Sequence, residues 1–345
     1  MRRLVVLLIS IAIPALASAH HSFSEFDQSR TILISGTLTD YAWQNPHVKL
    51  KVEANLDGKT VTWDVECHSI GILSRAAFDP NTFKVGDKVS VAGTPSRATP
   101  NRMFATNVLL PSGREVVLAP GVPPHWQTTA APFAPPGAPP GAAAAEPPTK
   151  GLFKVWGSSF ADPRGGPAGL WMGISPSSLT PAAKSALAAW DPIHDTVARG
   201  CEPKGVPTIM EQPYGLAFED HGATIALKLE EYDTLRTIHL SDGAAAPAAK
   251  SLLGYSVGRW DGSTLVVTTT GISWRYVSPD GLPLGPSARL EERFTPADDG
   301  KRLDYTVTIT DADTFTKPAV LERFWVWSPT ERVRPYECGQ RQSTR

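Results

Sequence analysis

Between Pro120 and Pro148 the chain carries ten prolines among alanines and glycines, including the run Ala131-Pro132-Phe133-Ala134-Pro135-Pro136. Proline fixes φ and has no N–H to donate, so such a stretch joins neither a helix nor a strand ladder. It favours an extended, semi-rigid spacer of polyproline type. Folding must therefore happen on either side of it. The chain divides into an N-terminal body of residues 20–119, a Pro/Ala/Gly-rich linker of residues 120–150 and a C-terminal body of residues 151–345. A length of 345 residues suits two domains better than one.

The first nineteen residues stand apart. Met1-Arg2-Arg3 is a positive start, Leu4 to Ile13 is apolar except for Ser10, Pro14 breaks the run, and Ala17-Ser18-Ala19 has the small-x-small form of a cleavage site. This is the pattern of a secretory signal peptide, removed after Ala19. The apolar run is too short for a bilayer that needs about 20 residues, and no later segment approaches that length. The expectation is an exported protein, periplasmic or extracellular, with no transmembrane segment after cleavage. Cleavage leaves 326 residues with His20 first; Ala15-Leu16-Ala17 is also acceptable and would leave Ser18 first.

Ahead of the linker the periodicity is that of short strands. Arg30 to Thr39 is β-branched, His47 to Ala54 alternates through Val48, Leu50 and Val52, Asp57-Gly58 marks a hairpin, and Val61, Trp63 and Val65 alternate again. A helix from Ser69 to Phe78, capped by Ser69, comes next, then strands around Val89–Val91 and Met103–Leu110. Three strands, a helix and two strands is the order of an OB-like Greek-key barrel.

Behind the linker, Gly151 to Gly169 reads as loop. Thr180 then caps one short helix, with Pro181 in its first turn and Ala182 to Trp190 following. Strands are expected at Thr224–Leu229, Thr234–Leu240, Tyr255–Trp260, Leu265–Thr270, Ala288–Thr295, Leu303–Ile309 and Val320–Trp327. Asp242-Gly243, Asp261-Gly262, Asp280-Gly281 and Asp299-Gly300 supply turn signals between them. The fold class is mainly β, with an antiparallel meander, barrel or sandwich, as the second body. Trp260, Trp274, Trp325 and Trp327 suit large apolar anchors in such a core.

Charge and cysteines narrow the function. Losing Arg2 and Arg3 moves the formal net charge from −1 to −3, with no basic cluster of the kind phosphate neutralisation requires, so nucleic acid is not an expected partner. Three cysteines reach an oxidising compartment, where an even subset pairs. Cys201 and Cys338, near the two ends of the C-terminal body, form the expected disulfide, and Cys67, at a strand end, stays unpaired. No Cys-x-x-Cys spacing exists for a thiolate metal site.

The series His20-His21-Ser22-Phe23, Phe26-Asp27, Gly36-Thr37, Trp43-Gln44-Asn45-Pro46-His47, Trp63 with Glu66, and Gly86-Asp87 resembles an exported bacterial family catalogued as domain of unknown function 6152, over residues 20–118. Ala76-Ala77-Phe78 departs from it, where a Gly-Trp pair is expected after the helix. Arg236-Thr237-Ile238-His239, Gly258-Arg259-Trp260-Asp261-Gly262 with Leu265-Val266-Val267, and Glu292-Arg293-Phe294 resemble a second uncharacterised bacterial β-rich domain. Both resemblances imply export and β architecture, and neither implies an activity.

The candidate chemistry is metal binding. An N-terminal histidine offers its α-amine and its ring together, and a further histidine from the fold completes a three-nitrogen set that suits copper. His47, held beside Pro46, is the expected partner of His20, and His21 is a neighbouring imidazole that could substitute. The strand order puts His47 at the far end of the first strand from His20, so residues 20–28 must fold back across the barrel. If Ser18 comes first instead, Ser18-Ala19-His20 presents an amine, two amides and an imidazole, again a set for copper or nickel. The alternative is a metal-free binding or envelope-assembly module contacting an unknown protein or small ligand.

No catalytic motif competes with these readings. His194-Asp195 and Asp220-His221 pair the right residue types, but sequence neighbours on an extended chain point opposite ways. His239 ends a strand and is structural. Asp311-Ala312-Asp313 lacks the glycine and glutamate of a calcium loop. Neither a Gly-x-Ser-x-Gly elbow nor a Gly-rich phosphate loop occurs.

Overall fold

The computed structural model describes residues 25–75, 78–119, 121–126, 151–159, 162–191, 195, 201–240, 249–327 and 331–339. His20, His21, Asp242-Gly243 and most of the proline-rich segment lie outside these residues.

The first sheet contains β1 (Ile32–Ala42), β2 (Lys49–Leu56), β3 (Lys59–Glu66), β4 (Lys88–Pro95), β5 (Arg102–Leu109) and β6 (Glu115–Val117), with helix α1 (Ile70–Arg75) between β3 and β4. The order is β3-β2-β1-β4-β5-β6, and an additional β3–β5 pairing closes the ring. Strand β5 does this by dividing one edge: Arg102 to Phe104 pair with β3, and Asn107 to Leu109 pair with β6. This is the OB-type barrel. Asp57 and Gly58, at φ 51° and 80°, make the left-handed turn that joins β2 to β3. Helix α1 is shorter than its apolar run suggests. Phe78, beyond its end, is fully buried against Trp43 and Phe83 rather than helical.

The second sheet is a closed barrel in the order β10-β11-β12-β13-β14-β15-β7-β8-β9. Its strands are β7 (Val155–Ser158), β8 (Leu216–Asp220), β9 (Thr224–Leu229), β10 (Thr234–His239), β11 (Tyr255–Asp261), β12 (Thr264–Thr270), β13 (Arg289–Pro296), β14 (Arg302–Thr310) and β15 (Ala319–Trp327). Helix α2 (Pro181–Ala189) has Thr180 as its cap, the hydroxyl accepting from the Ala183 N–H at 3.1 Å. Three expectations are corrected here. The stretch 151–169 is not all loop, because Val155–Ser158 is the strand that joins β15 to β8 and closes the ring. Leu216–Asp220, before the first expected strand, is paired as well. Asp280-Gly281 turns within the long β12–β13 connection and does not join two strands.

Parity explains one feature of both rings. A ring of wholly antiparallel neighbours needs an even number of strands. The rings have five and nine members, so each holds a parallel pair, β3–β5 in one and β10–β11 in the other.

The core of the first barrel gathers Leu38, Trp43, Leu50, Val52, Val91 and Met103, and that of the second Trp156, Leu227, Leu265, Leu290, Val307 and Trp325. A third apolar cluster joins them: Ile72 and Val117 from the first barrel meet Tyr214 and Tyr336 from the second. Asn45 fastens this contact. Its carboxamide donates to the Tyr336 carbonyl at 2.5 Å and accepts from the Ile70 N–H at 3.0 Å, while its carbonyl accepts from the Gly339 N–H at 2.9 Å. The disulfide Cys201–Cys338 pins the same C-terminal segment to the second barrel. Cys67 is free and buried, as its place at the end of β3 suggested.

Candidate metal centre

The site begins where the β2–β3 hairpin opens. Its last ladder pair is Lys49↔Glu66, and His47 and His68 each stand two residues beyond. One step past the ladder the pairing slips: the Val48 N–H reaches the carbonyl of His68 at 3.2 Å instead of that of Cys67. The Cys67 carbonyl so released lies 2.9 Å from Nδ1 of the His47 ring. A carbonyl can only accept, so Nδ1 is the donor here, and in the neutral ring the lone pair then sits on Nε2. The Glu66 carboxylate, 3.7 Å from Nδ1, supports the same tautomer. Metal-ligating imidazoles are held in this way, one nitrogen donating to a carbonyl or carboxylate and the other facing outward.

Alternation puts this group on the outer face of the first barrel. Along β2 the even positions from Leu50 to Ala54 are buried and the odd ones exposed, so His47 belongs to the outward set. Phe104 on the neighbouring β5 is the common surface. The rings of His47 and His68 stand nearly perpendicular to it, at centroid distances of 6.2 and 4.9 Å. Phe26 packs on the same ring at 5.5 Å. The described part of the segment preceding β1, from Glu25 on, therefore does lie back against the barrel. Its course is set by a bridge between Phe26 and Ser96, by the Arg97 N–H donating to the Glu25 carbonyl at 2.8 Å, and by the Ser96 hydroxyl donating to the Glu25 carboxylate at 3.0 Å.

The electrostatics favour a cation. Glu25 and Glu66 are both buried, and both pair with the one guanidinium of Arg102, at 3.1 and 2.8 Å. Two carboxylates on one arginine leave a formal charge of −1 beside the His47 ring. Burial, with the neighbouring His47, lowers the His68 pKa to about 3, so that imidazole is neutral at any physiological pH. Neutral imidazole is the form that binds metal. Among the described residues no group of three or more His, Cys, Asp or Glu side chains could hold a metal ion. The fold supplies two imidazoles, and a complete site needs further donors.

The other candidates fall elsewhere. His239, at the end of β10, stacks on Tyr255 at 4.7 Å. His221 lies exposed, 3.5 Å from Glu219. His194 lies outside the described residues. Asp311 ties its own loop, accepting from the N–H groups of Gly285 and Asp313. Two buried polar groups of the second barrel were not read from the sequence as sites, although Arg236 and Glu292 belong to the motifs that carry its resemblance. In one, Arg236 pairs with both carboxylate oxygens of Glu292 and is joined by Ser256, Thr269 and Tyr305. In the other, Lys204 bridges Glu211 and Glu231 at 3.4 and 3.0 Å. Burial opposes the Lys204 ammonium, but Glu231 and Glu211 outweigh it and raise its pKa. These are charge pairs internal to the fold.

His68, Glu66, Arg102 and Glu25 were not singled out from the sequence as site residues. A signal for His68 existed. A two-residue turn at Asp57-Gly58 sets Leu56 opposite Lys59, and counting outward brings His47 opposite His68.

Fold and site together define an OB-type barrel with a paired-imidazole outer face, joined to a nine-stranded closed barrel. Residues 7–103 match the model of a family of unknown function, DUF6152, a match that runs through the first barrel as far as the start of β5. No curated protein matches the chain. The solved structures found similar include two crystal forms of the mitochondrial single-stranded DNA-binding protein Rim1 of S. cerevisiae. One is 15% identical with a TM-score of 0.19, covering 24% of this chain and 93% of its own. The other is 14% identical with a TM-score of 0.20, covering 24% and 92%.

Proposed function

We propose that this is an exported copper-binding protein whose site is completed by its own processed N-terminus. The observation that carries the reading is the His47 ring, locked by the Cys67 carbonyl at 2.9 Å into the tautomer a metal ligand needs. Signal-peptide removal after Ala19 makes His20 the first residue, with an α-amine and an imidazole to offer. Glu25 stands beside Arg102, and five residues of chain span about 17 Å when extended, enough to bring His20 to the His47 ring. Amine and imidazole nitrogens rank copper above the other divalent first-row metals. His21 offers a second imidazole one residue on.

The test compares two forms of the full-length mature chain, one with a free His20 α-amine (the His20 form) and one with that amine acetylated (the blocked form). Acetylation removes the amine as a partner of the His20 ring and spares every side chain. Copper(II), measured by competition with a chelator, should bind the His20 form at least about 100-fold more tightly. Equal affinities would eliminate the N-terminal site and leave a metal-free binding or assembly module as the better reading. Mass measurement of the exported protein checks the start itself.

A further inference from the structure

We infer that His68 is the second imidazole of this centre, and that His47 and His68, with water in the remaining positions, hold a late divalent transition metal even without the N-terminal amine. This rests on the reading of His47 as a ligand, but not on the processed terminus. Both residues follow from a single hairpin: they stand two positions beyond the Lys49↔Glu66 pair, one on each strand. Both rings stand edge-on to the one Phe104 ring, at 6.2 and 4.9 Å, which puts two imidazoles on one face for a single ion to bridge. The slip at Val48 keeps them together, since the His68 carbonyl takes the Val48 N–H while the Cys67 carbonyl orients the His47 ring. Phe104 then sits beside both rings and limits their swing.

The surroundings suit an ion of charge two. The unmatched carboxylate charge of Glu25, Glu66 and Arg102 lies next to the His47 ring. Half-buried imidazoles lose little hydration on binding a metal, whereas two exposed ones would lose more. The buried apolar Phe26 and Phe104 exclude water from one side of the ion and so strengthen its attraction to that charge.

The experiment uses the blocked form, whose acetylated amine cannot take part, and the ions Cu(II) and Ni(II) themselves. It should still bind Cu(II), and His68→Gln and His47→Gln should each weaken binding at least tenfold, while His239→Gln leaves it unchanged. Nitrogen hyperfine structure in the electron paramagnetic resonance spectrum should show two equivalent imidazoles, reduced to one in His68→Gln. Near-ultraviolet circular dichroism checks that the variant keeps its fold. If it does not, protection of His68 from imidazole acylation by saturating Cu(II) in the unsubstituted protein decides instead. Wild-type affinity and spectrum in folded His68→Gln, or no protection of His68, overturns the inference. The N-terminal site is tested independently, by the affinities of the His20 and blocked forms.

Discussion

At the scale of single residues, the barrels are held by charges that burial makes consequential. Arg236 and Glu292 are 1% and 0% exposed and bond each other in bidentate fashion, while Ser256, Thr269 and Tyr305 take up the remaining hydrogen bonds. Removing one partner strands the other charge in the barrel interior. Arg236→Met should therefore cost about 3–5 kcal/mol. Arg236→Met with Glu292→Leu, which removes both charges, should recover most of that loss. Urea unfolding measures both. A single substitution costing under about 1 kcal/mol, or a double variant no better than the single one, would show that the pair is not the mutual support its geometry implies. Cys67 illustrates the opposite outcome of burial: its thiol is pushed far above the ordinary range by burial and by Glu66, so it stays protonated and inert.

At the scale of elements, the contact between the barrels is built from short segments rather than from strands. The loop that follows β1 offers Asn45, α1 offers Ile72, β6 offers Val117, and the C-terminal segment answers with Tyr336. Tyr214 and Tyr336 face each other at 5.6 Å, and Tyr232 and Tyr336 at 5.2 Å. Burial, with the nearby Glu231, raises the Tyr214 and Tyr232 hydroxyls above their ordinary range. Burial and Tyr214 do the same for Tyr336, and burial and Glu292 for Tyr305. The unfolded chain releases these protons above about pH 10 and the folded one keeps them, so stability falls as pH rises past that value. An alkaline titration followed by tyrosinate absorbance should show four of the seven tyrosines ionising only together with unfolding. Ionisation of all seven in a protein that keeps its circular dichroism would contradict this packing.

At the scale of the whole molecule, the Cys201–Cys338 bridge spans 137 residues and holds the segment that Asn45 grips. Closing so long a loop stabilises by about 4–5 kcal/mol on the chain-entropy model. Its loss should also loosen the barrels from each other, because the C-terminal segment is their shared strap. Calorimetry of the Cys201→Ala, Cys338→Ala variant should show two separated transitions, the lower belonging to the second barrel. One transition at the wild-type temperature would mean that the strap carries no load.

The sequence alone determined where the longer strands fall, most of the tight turns between them and which cysteines pair. Period-two alternation and the demand for positive φ in Asp-Gly turns are local, and they hold whatever the rest of the chain does. Thus Asp57-Gly58 and Asp261-Gly262 turned between paired strands as read, while Asp280-Gly281, of the same composition, turned inside a loop. Short strands were lost: Val155–Ser158 and Glu115–Val117 have too few residues to show a period, and they exist because neighbours offer an open edge. The site divides in the same way. His47 stood out as a candidate from its proline and its place before a strand. The Cys67 carbonyl that fixes its tautomer, the Phe104 ring beside it, and the return of Glu25 and Phe26 to the same face depend on the β3–β5 closure. That closure joins residues some forty positions apart. Tertiary structure decided it, because only barrel closure, which satisfies the edges of both strands at once, sets β5 beside β3.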